Sequence, residues 1–336
     1  MTVALLLLIF FSSVILTVYF RRYAVSRNVL AIPNQRSSHA TVTPNGGGGA
    51  IVIAFIVGLI GLQFVTPIDL NLLFAIVGAG VFVAIIGFWD DHKALSAKLR
   101  LLVHFASAFW LIYWLDTESL HEIFDLSQVF NWLLILLVSV LLVWLLNLYN
   151  FMDGIDGIAS SEAIFVSAVL GCFSFIEGQQ GLALMAFALC MATSGFLVFN
   201  WPPARIFMGD VGSGFLGVTL GGLSLALMLM TQLVWPCLVL FGVFLVDATV
   251  TLISRFLRGE RWYDAHCNHA YQHAARKWGH FRVTMVVNII NLCWLLPCAY
   301  AAYVFPDIAL IILIVAFIPI IMIVLMIGAG VRKHGM

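Results

Sequence analysis

Four side chains set three residues apart form the densest chemical pattern in the sequence: Asn147, Asn150, Asp153 and Asp156, within Asn147-Leu-Tyr-Asn150-Phe-Met-Asp153-Gly-Ile-Asp156-Gly. The stretch follows a run that is apolar from Trp132 to Leu146 except for Ser139, and it precedes another that begins near Ile158 and carries Glu162. Polar groups at the end of a membrane span are expensive unless they have partners. On a helix, a step of three drifts by only about 60°, so neighbours share a face. Gly154 and Gly157 then let backbone come close to a ligand. Two amides and two carboxylates in this order suit a site that takes a cation together with an anionic ligand.

Further polar groups stand at other apolar boundaries. Asp90 and Asp91 are adjacent carboxylates that repel unless a cation or metal is near, and Lys93 and Lys98 follow to supply that charge or to hold a phosphate. A solvated turn is the plainer alternative for this pair. Pro202 and Pro203 end a helix after Asn200. Gly209, Gly212 and Gly214 then flank Asp210 just before the next span. A carboxylate among glycines at a helix N-terminus suits a metal ion carrying phosphates, with Asp210 on the cation and free N–H groups on phosphate oxygens; an N-cap aspartate is the other reading. The longest polar loop, 255–282, places His266, His269 and His273 at i, i+3 and i+7, on one face of a helix lying at the interface. Phosphate binding by His and Arg, a basic surface for lipid headgroups, and zinc on His266-Cys267-Asn268-His269 are its alternatives, although Cys267 points off the histidine face. The run Gly46–Gly49 is either an anion cradle or a close helix contact.

These clusters need a scaffold, and composition names it. Of 336 residues, 63% are hydrophobic and 10% charged, which excludes an ordinary soluble domain. Eleven apolar segments recur, near 2–20, 46–65, 70–89, 99–115, 129–147, 158–176, 181–199, 211–230, 234–254, 283–304 and 308–331. The expected fold is an all-α polytopic membrane protein with about 11 transmembrane helices. It forms a single integral-membrane domain over 1–336. The first segment has no Lys or Arg before it and reads as a retained span. Threading eleven spans puts all sixteen Lys and Arg on one side, and only acidic residues such as Asp69, Asp116, Glu177 and Asp307 in the loops of the other. The positive-inside rule then places the N-terminus in the periplasm and the C-terminus and polar clusters at the cytoplasmic face. Six cysteines show no disulfide framework, and five lie in apolar segments. Glu162 and Asp247 read as pairing groups between helices.

Taken together, these motifs resemble the polyprenyl-phosphate N-acetylhexosamine-1-phosphate transferases, the glycosyltransferase 4 family. Asp90-Asp91 with Lys98 resembles that family's aspartate pair and following lysine. Asn147-x-x-Asn150-x-x-Asp153-Gly-x-Asp156-Gly resembles its signature loop, and Asn200 with Phe207-Met208-Gly209-Asp210-x-Gly212-Ser213 its metal-site segment. His266-x-x-His269 sits where the family carries a histidine-rich or basic motif. Pro33-Asn34-x-Arg36-Ser37-Ser38-His39 and Ala265-His266-x-x-His269-Ala270-Tyr271-Gln272 are most similar to the bacterial branch that starts O-antigen and related lipopolysaccharide glycans. Two departures stand out: the three consecutive histidines of the muramoyl-pentapeptide transferases are absent, and Asn45 stands where related sequences often have Arg.

The resemblance implies transfer of a sugar 1-phosphate from a UDP-N-acetyl sugar to undecaprenyl phosphate, releasing UMP, in the bacterial inner membrane. It implies magnesium, with manganese as an alternative, held by Asn150 and Asp210. Asp90 and Asp91 would serve the lipid phosphate, and Asp153 and Asp156 the nucleotide or the metal ligands. Lys98, Asn147, Asn200, His266 and His269 would hold phosphates or nucleotide. Nucleic acid is not an expected partner, and a homodimer is one assembly open to such a bundle. A cation- or proton-coupled transporter remains the rival class, and it would use Glu162 and Asp247. A lipid-diphosphate phosphatase is a third. The transferase reading requires Asp90, Asn150 and Asp210 to meet at one site.

Overall fold

A computed structural model describes residues 1–33, 39, 41–115, 131–260 and 267–331. The helices are α1 (Thr2–Ser26), α2 (Gly49–Gln63), α3 (Leu70–His92), α4 (Ala97–Trp114), α5 (Asn131–Met152), α6 (Ile158–Ile176), α7 (Gln180–Asn200) and α8 (Gly209–Thr231). They continue with α9 (Val234–Leu240), α10 (Gly242–Leu257), α11 (Ala270–Trp278), α12 (His280–Val304) and α13 (Ala309–Ile327). A short antiparallel pair, β1 (Leu30–Ala31) and β2 (Thr43–Pro44), joins Leu30 to Pro44 and Ala31 to Thr43. The chain is thus an all-α, multi-pass membrane protein. Each of the eleven apolar segments lies on a helix or bent helix pair. Among the described residues, eight helices are long and apolar enough to cross a membrane, or nine when α9 and α10, bent by 74°, count as one. The remaining two depart from a full span for visible reasons: α2 has only 15 residues, and α4 carries Lys98 and Arg100 in its first turn.

Burial separates the centre of the bundle from its rim. In α6 and α8, 78% of the apolar window is buried, against 17% in α1 and α13. α8 packs on α3, α5 and α6, and α7 packs on α6, α1 and α2. Lipid tails are as apolar as leucine, so close fit rather than water exclusion must hold such helices together, and small residues supply it. Gly212 of α8 lies on Gly48, where neither position has room for a Cβ. A Cβ on Gly217 would come within 2.7 Å of the Leu146 Cα, and one on Gly87 within 2.5 Å of the Asp210 carbonyl oxygen. The last contact sets the N-terminus of α8 against the C-terminal end of α3.

Two buried carboxylates tie the second half of the chain to this core. Glu162 on α6 accepts from Asn291 on α12. Asn291 begins a π-helical turn, Asn291–Leu295, where Pro297 lacks the N–H that a regular helix would use. Asp247 on α10 accepts 2.9 Å bonds from the amides of Ala270 and Tyr271, and one of 3.1 Å from the Thr251 hydroxyl. His269 Nδ1 lies 3.5 Å from the same carboxylate. Asp247 therefore caps α11 from a different helix. Glu162 and Asp247, the two groups on which a transporter reading rests, are both used in helix pairing.

The α3–α8 contact gives a direct test. Gly87→Ala should lower the thermal unfolding midpoint in detergent by the equivalent of about 1–3 kcal/mol, the usual cost of overpacking. Gly61→Ala, whose Cβ would meet Leu5 at an ordinary 3.8 Å, should leave the midpoint unchanged or slightly raised.

Candidate active site

The polar clusters meet at one end of the helices. Asp91, on the last turn of α3, accepts from the backbone amide of Asp210 at 2.9 Å and of Val211 at 3.2 Å, and from Asn45 Nδ2 at 3.0 Å. Its carboxylate thereby satisfies N–H groups that the first turn of α8 cannot pair internally. Gly209 makes this approach practicable: its φ is +74°, and a Cβ there would lie 2.5 Å from Asp91 Oδ2. Asp90 faces the other way. Its Oδ1 accepts from the Leu95 amide at 2.6 Å, and its Oδ2 lies 2.8 Å from Arg100 Nη1.

Arg100 is the residue that sequence reasoning passed over. One guanidinium nitrogen bridges Asp90 and Asp210, the second at 3.2 Å. Lys98, the basic residue expected here, is exposed and lines none of the described cavities. The reason is helical geometry: α4 begins at Ala97, and two positions along a helix differ by about 200°, so only one of the pair faces the aspartates.

Asn150 and Asp210 are neighbours, as the metal assignment requires. Asn150 Nδ2 donates to Asp210 Oδ1 at 2.7 Å and to Ser213 Oγ at 3.1 Å. This leaves the amide oxygen of Asn150, the Asp210 carboxylate and the Ser213 hydroxyl as hard oxygen donors in one place. Among the described residues, Asp90, Asp91, Asp153 and Asp210 bring four carboxyl groups together around the single guanidinium of Arg100. Among the described residues no three of His, Cys, Asp and Glu cluster tightly enough to hold a metal alone. The donor set therefore fits an ion that takes few protein ligands and completes its shell from phosphate and water, as Mg²⁺ does.

A cavity of about 270 Å³ opens beside these residues, lined by Asn150, Asp153, Asp156, Asp210, Gln272 and His280 among others. Burial, then the negative charges of Asp210, Asp91 and Asp156, push the Asp153 carboxyl well above its ordinary value. Burial also works against ionised Asp156, but the His280 hydrogen bond, the Ala204 amide and the His280 charge outweigh it and hold that carboxyl low. Asp156 Oδ1 lies 3.0 Å from His280 Nδ1, and Asp156 Oδ2 accepts from the Ala204 amide at 3.0 Å. Two carboxylates three residues apart thus end in opposite electrostatic settings. Gly154 is needed between them, because a Cβ there would collide with the Tyr271 hydroxyl, which itself donates to the Phe151 carbonyl at 2.9 Å.

A second cavity, of about 470 Å³, lies on the other side of Asn150 and Asp210. Its walls are apolar, from Val83, Leu101, Phe105, Val143 and Trp144 among others, and its polar end holds Arg100, His104, Asn147, Asn150 and Asp210. Asn147 lines this groove rather than the polar cavity and spends its Nδ2 on the Val143 carbonyl at 2.7 Å.

The remaining expected residues are placed differently. Asn200 lines the polar cavity, yet both ends of its amide are used within the chain: Oδ1 accepts from the Gly157 amide and the Ser160 hydroxyl, and Nδ2 donates to the Ile206 carbonyl. It holds the signature loop against α7. His269 is buried beside Asp247 as the N-cap of α11, before the first helical turn, so of the expected i, i+3, i+7 face only His273 lies on a described helix. The first half of α11 is buried too, so it packs into the bundle instead of lying on a surface. His266 and residues 34–38, including Arg36, lie outside the described residues. The glycine run makes a close contact: the amides of Gly47 and Gly48 donate to the carbonyls of Phe207 and Met208.

Comparisons with known proteins bear on this arrangement. A family model described as Glycosyl transferase family 4 matches residues 73–228. The chain is 28% identical over 253 residues, 72% of this chain and 68% of the other, to a probable undecaprenyl-phosphate N-acetylglucosaminyl 1-phosphate transferase of Bacillus subtilis. It is 32% identical over 230 residues, 63% of this chain and 69% of the other, to a phospho-N-acetylmuramoyl-pentapeptide-transferase of Moorella thermoacetica. The matched region carries Asp90, Asp91, Arg100, Asn150, Asp153, Asp156 and Asp210.

Two variants separate site from scaffold. A carboxyl raised on folding loses stability for the protein as pH climbs above the ordinary carboxylate range, because the folded state must then give up a proton it holds more tightly. Asp153→Asn should therefore raise the unfolding midpoint relative to the parent more at pH 8 than at pH 5. Asp247→Ala breaks a buried pair and uncaps α11, and should lower stability by about 3–5 kcal/mol, read as a lower midpoint or loss of folded protein.

Proposed function

The chain belongs to glycosyl transferase family 4, and on that premise we propose that it transfers a sugar 1-phosphate from a UDP-N-acetylhexosamine-type donor to undecaprenyl phosphate, releasing UMP. One observation carries this reading: a polar cavity and an apolar groove share Asn150 and Asp210 as their common wall. A reaction that joins a nucleotide sugar to a lipid phosphate needs one water-loving compartment and one hydrocarbon-like compartment, with their reacting ends in contact.

The balance of bonds follows. An oxygen of the lipid phosphate attacks the donor phosphorus next to the sugar. The bond from that phosphorus to the bridging oxygen breaks, and the bridging oxygen leaves on the phosphate of UMP. No covalent chemistry is asked of the protein, so positioning and charge balance carry the rate. Arg100, set between Asp90 and Asp210, faces the point where the two phosphates meet. Asp90 keeps that guanidinium in place, and Asp91 fixes the first turn of α8 and with it Asp210. Asp156 with His280, and Asp153 with Gln272, form the wall facing the donor.

Mg²⁺, or Mn²⁺ in its place, held by Asp210 and Asn150 with Ser213 adjacent, would neutralise charge on the donor diphosphate. The surplus of carboxylates over cations supports such an ion. The acidic and basic loops support a cytoplasmic-facing site in the bacterial inner membrane, and the sequence motifs support a role in starting an O-antigen-type surface glycan.

Purified protein given undecaprenyl phosphate, Mg²⁺ and a panel of UDP-sugars should release UMP with at least one N-acetylated sugar. Asp210→Ala should reduce that release by about a thousandfold or more, the scale on which charge-stabilising groups act. UMP release within tenfold of the parent in that variant would remove Asp210 from the metal site. Ion flux with no UMP release from any donor would replace the transferase with a transporter.

A further inference from the structure

The groove contains one titratable side chain that the reading above leaves unused. His104 lies on α4 one turn beyond Arg100, so the two project from the same face, and both line the polar end of the apolar groove with Asn147, Asn150 and Asp210. The two ring nitrogens of His104 have different surroundings. Nδ1 is buried and has no hydrogen-bond partner. Nε2 is not among the buried unpaired atoms, and no described residue bonds to it.

This asymmetry fixes the tautomer. An N–H on Nδ1 would be a buried donor without an acceptor, which costs more than a bare ring nitrogen left in an apolar surrounding. The proton therefore sits on Nε2, the nitrogen within reach of the groove. His104 presents an N–H donor at the place where an otherwise hydrocarbon-like channel meets a cluster of charge. A histidine serving only to fill space there would be better replaced by leucine or phenylalanine. An anion arriving along the groove would find two donors a helical turn apart, the Arg100 guanidinium and His104 Nε2–H.

We propose that His104 is an acceptor-binding residue: Nε2–H donates to a phosphate oxygen of the lipid, and together with Arg100 it selects a lipid phosphate over the corresponding alcohol and sets where the headgroup halts. This rests on the reading of the groove as the lipid compartment. It assigns to α4, rather than to the glycine-flanked segments, the recognition of the second substrate.

The test separates the two levels. Parent protein, His104→Leu and His104→Gln are compared for transfer with varied donor and varied acceptor. In parallel, equilibrium binding of a short-chain polyprenyl phosphate and of the matching polyprenol is measured in detergent without donor. His104→Leu should raise the KM for lipid phosphate about ten- to a hundredfold, the loss expected for a hydrogen bond to a charged group, with the donor KM within about twofold. It should weaken binding of the phosphate but not of the alcohol. His104→Gln, which keeps an N–H donor, should recover most of the difference. Unchanged phosphate binding by a folded His104→Leu, or equal weakening of phosphate and alcohol, would overturn the assignment. An inactive parent would instead count against the transferase reading itself.

Discussion

The contact on which the site depends is the seating of the first turn of α8 on the end of α3. Gly87 removes the side chain that would hold the helices apart, Gly209 removes the one that would block Asp91, and Asp91 then takes the amides of Asp210 and Val211. A helix N-terminus carries partial positive charge and unpaired donors, and a carboxylate from another helix meets both needs. Because Asp91 is consumed in this way, Asp210 points its own carboxylate outward, towards Asn150 and Arg100. Adjacent aspartates thus do different work: Asp91 builds the framework, and Asp90 holds the Arg100 guanidinium.

The same division runs through the signature loop. Asp156 is held ionised by His280 and the Ala204 amide, whereas Asp153 stands among other carboxyl groups with no comparable cation among the described residues. Like charges collected in a partly buried cavity cost stability, and proteins tolerate such arrangements where a ligand brings the missing charge. Among the described residues, Asp90, Asp91, Asp153 and Asp210 gather around the one guanidinium of Arg100, and burial with mutual repulsion pushes the Asp153 carboxyl up. Buried Asp247, by contrast, is engaged by the amides that open α11 and by the Thr251 hydroxyl, and Glu162 accepts from Asn291 through one oxygen; the two hold α11 and α12 to the core.

Much of this was legible from residue types. The apolar segments, the polar clusters at their ends and the step-three spacing from Asn147 to Asp156 all follow from rules of local periodicity, and Asn150 and Asp210 do lie side by side. The rest depended on facts that local spacing does not carry. Lys98 and Arg100 are equivalent as charges, and only the start of α4 decides which of them faces inward. His269 looked like a phosphate ligand because its helix was expected to begin earlier; the cap supplied by Asp247, 22 residues away, starts it at Ala270. Asn200 resembled a ligand contact by position, but its amide is consumed in holding the loop at Gly157. His280 offered no motif, and its link to Asp156 spans most of the second half of the chain. The signal that could have found Arg100 was present: it stands three residues after Ala97 with Leu101 and His104 on the same face.

The two compartments differ in how much of the chain they draw on as well as in polarity. The apolar groove is built almost wholly from the residues the family model matches; among the described residues of its wall, Leu252 alone lies outside 73–228. The polar cavity borrows His39, Asn45, Gln272 and His280 from beyond it. The groove is therefore shaped by α3, α4, α5 and α8, whereas the polar cavity also depends on how Asn45 before α2, Gln272 of α11 and His280 of α12 seat beside the signature loop, so a change in those segments can reshape one compartment without moving the walls of the other.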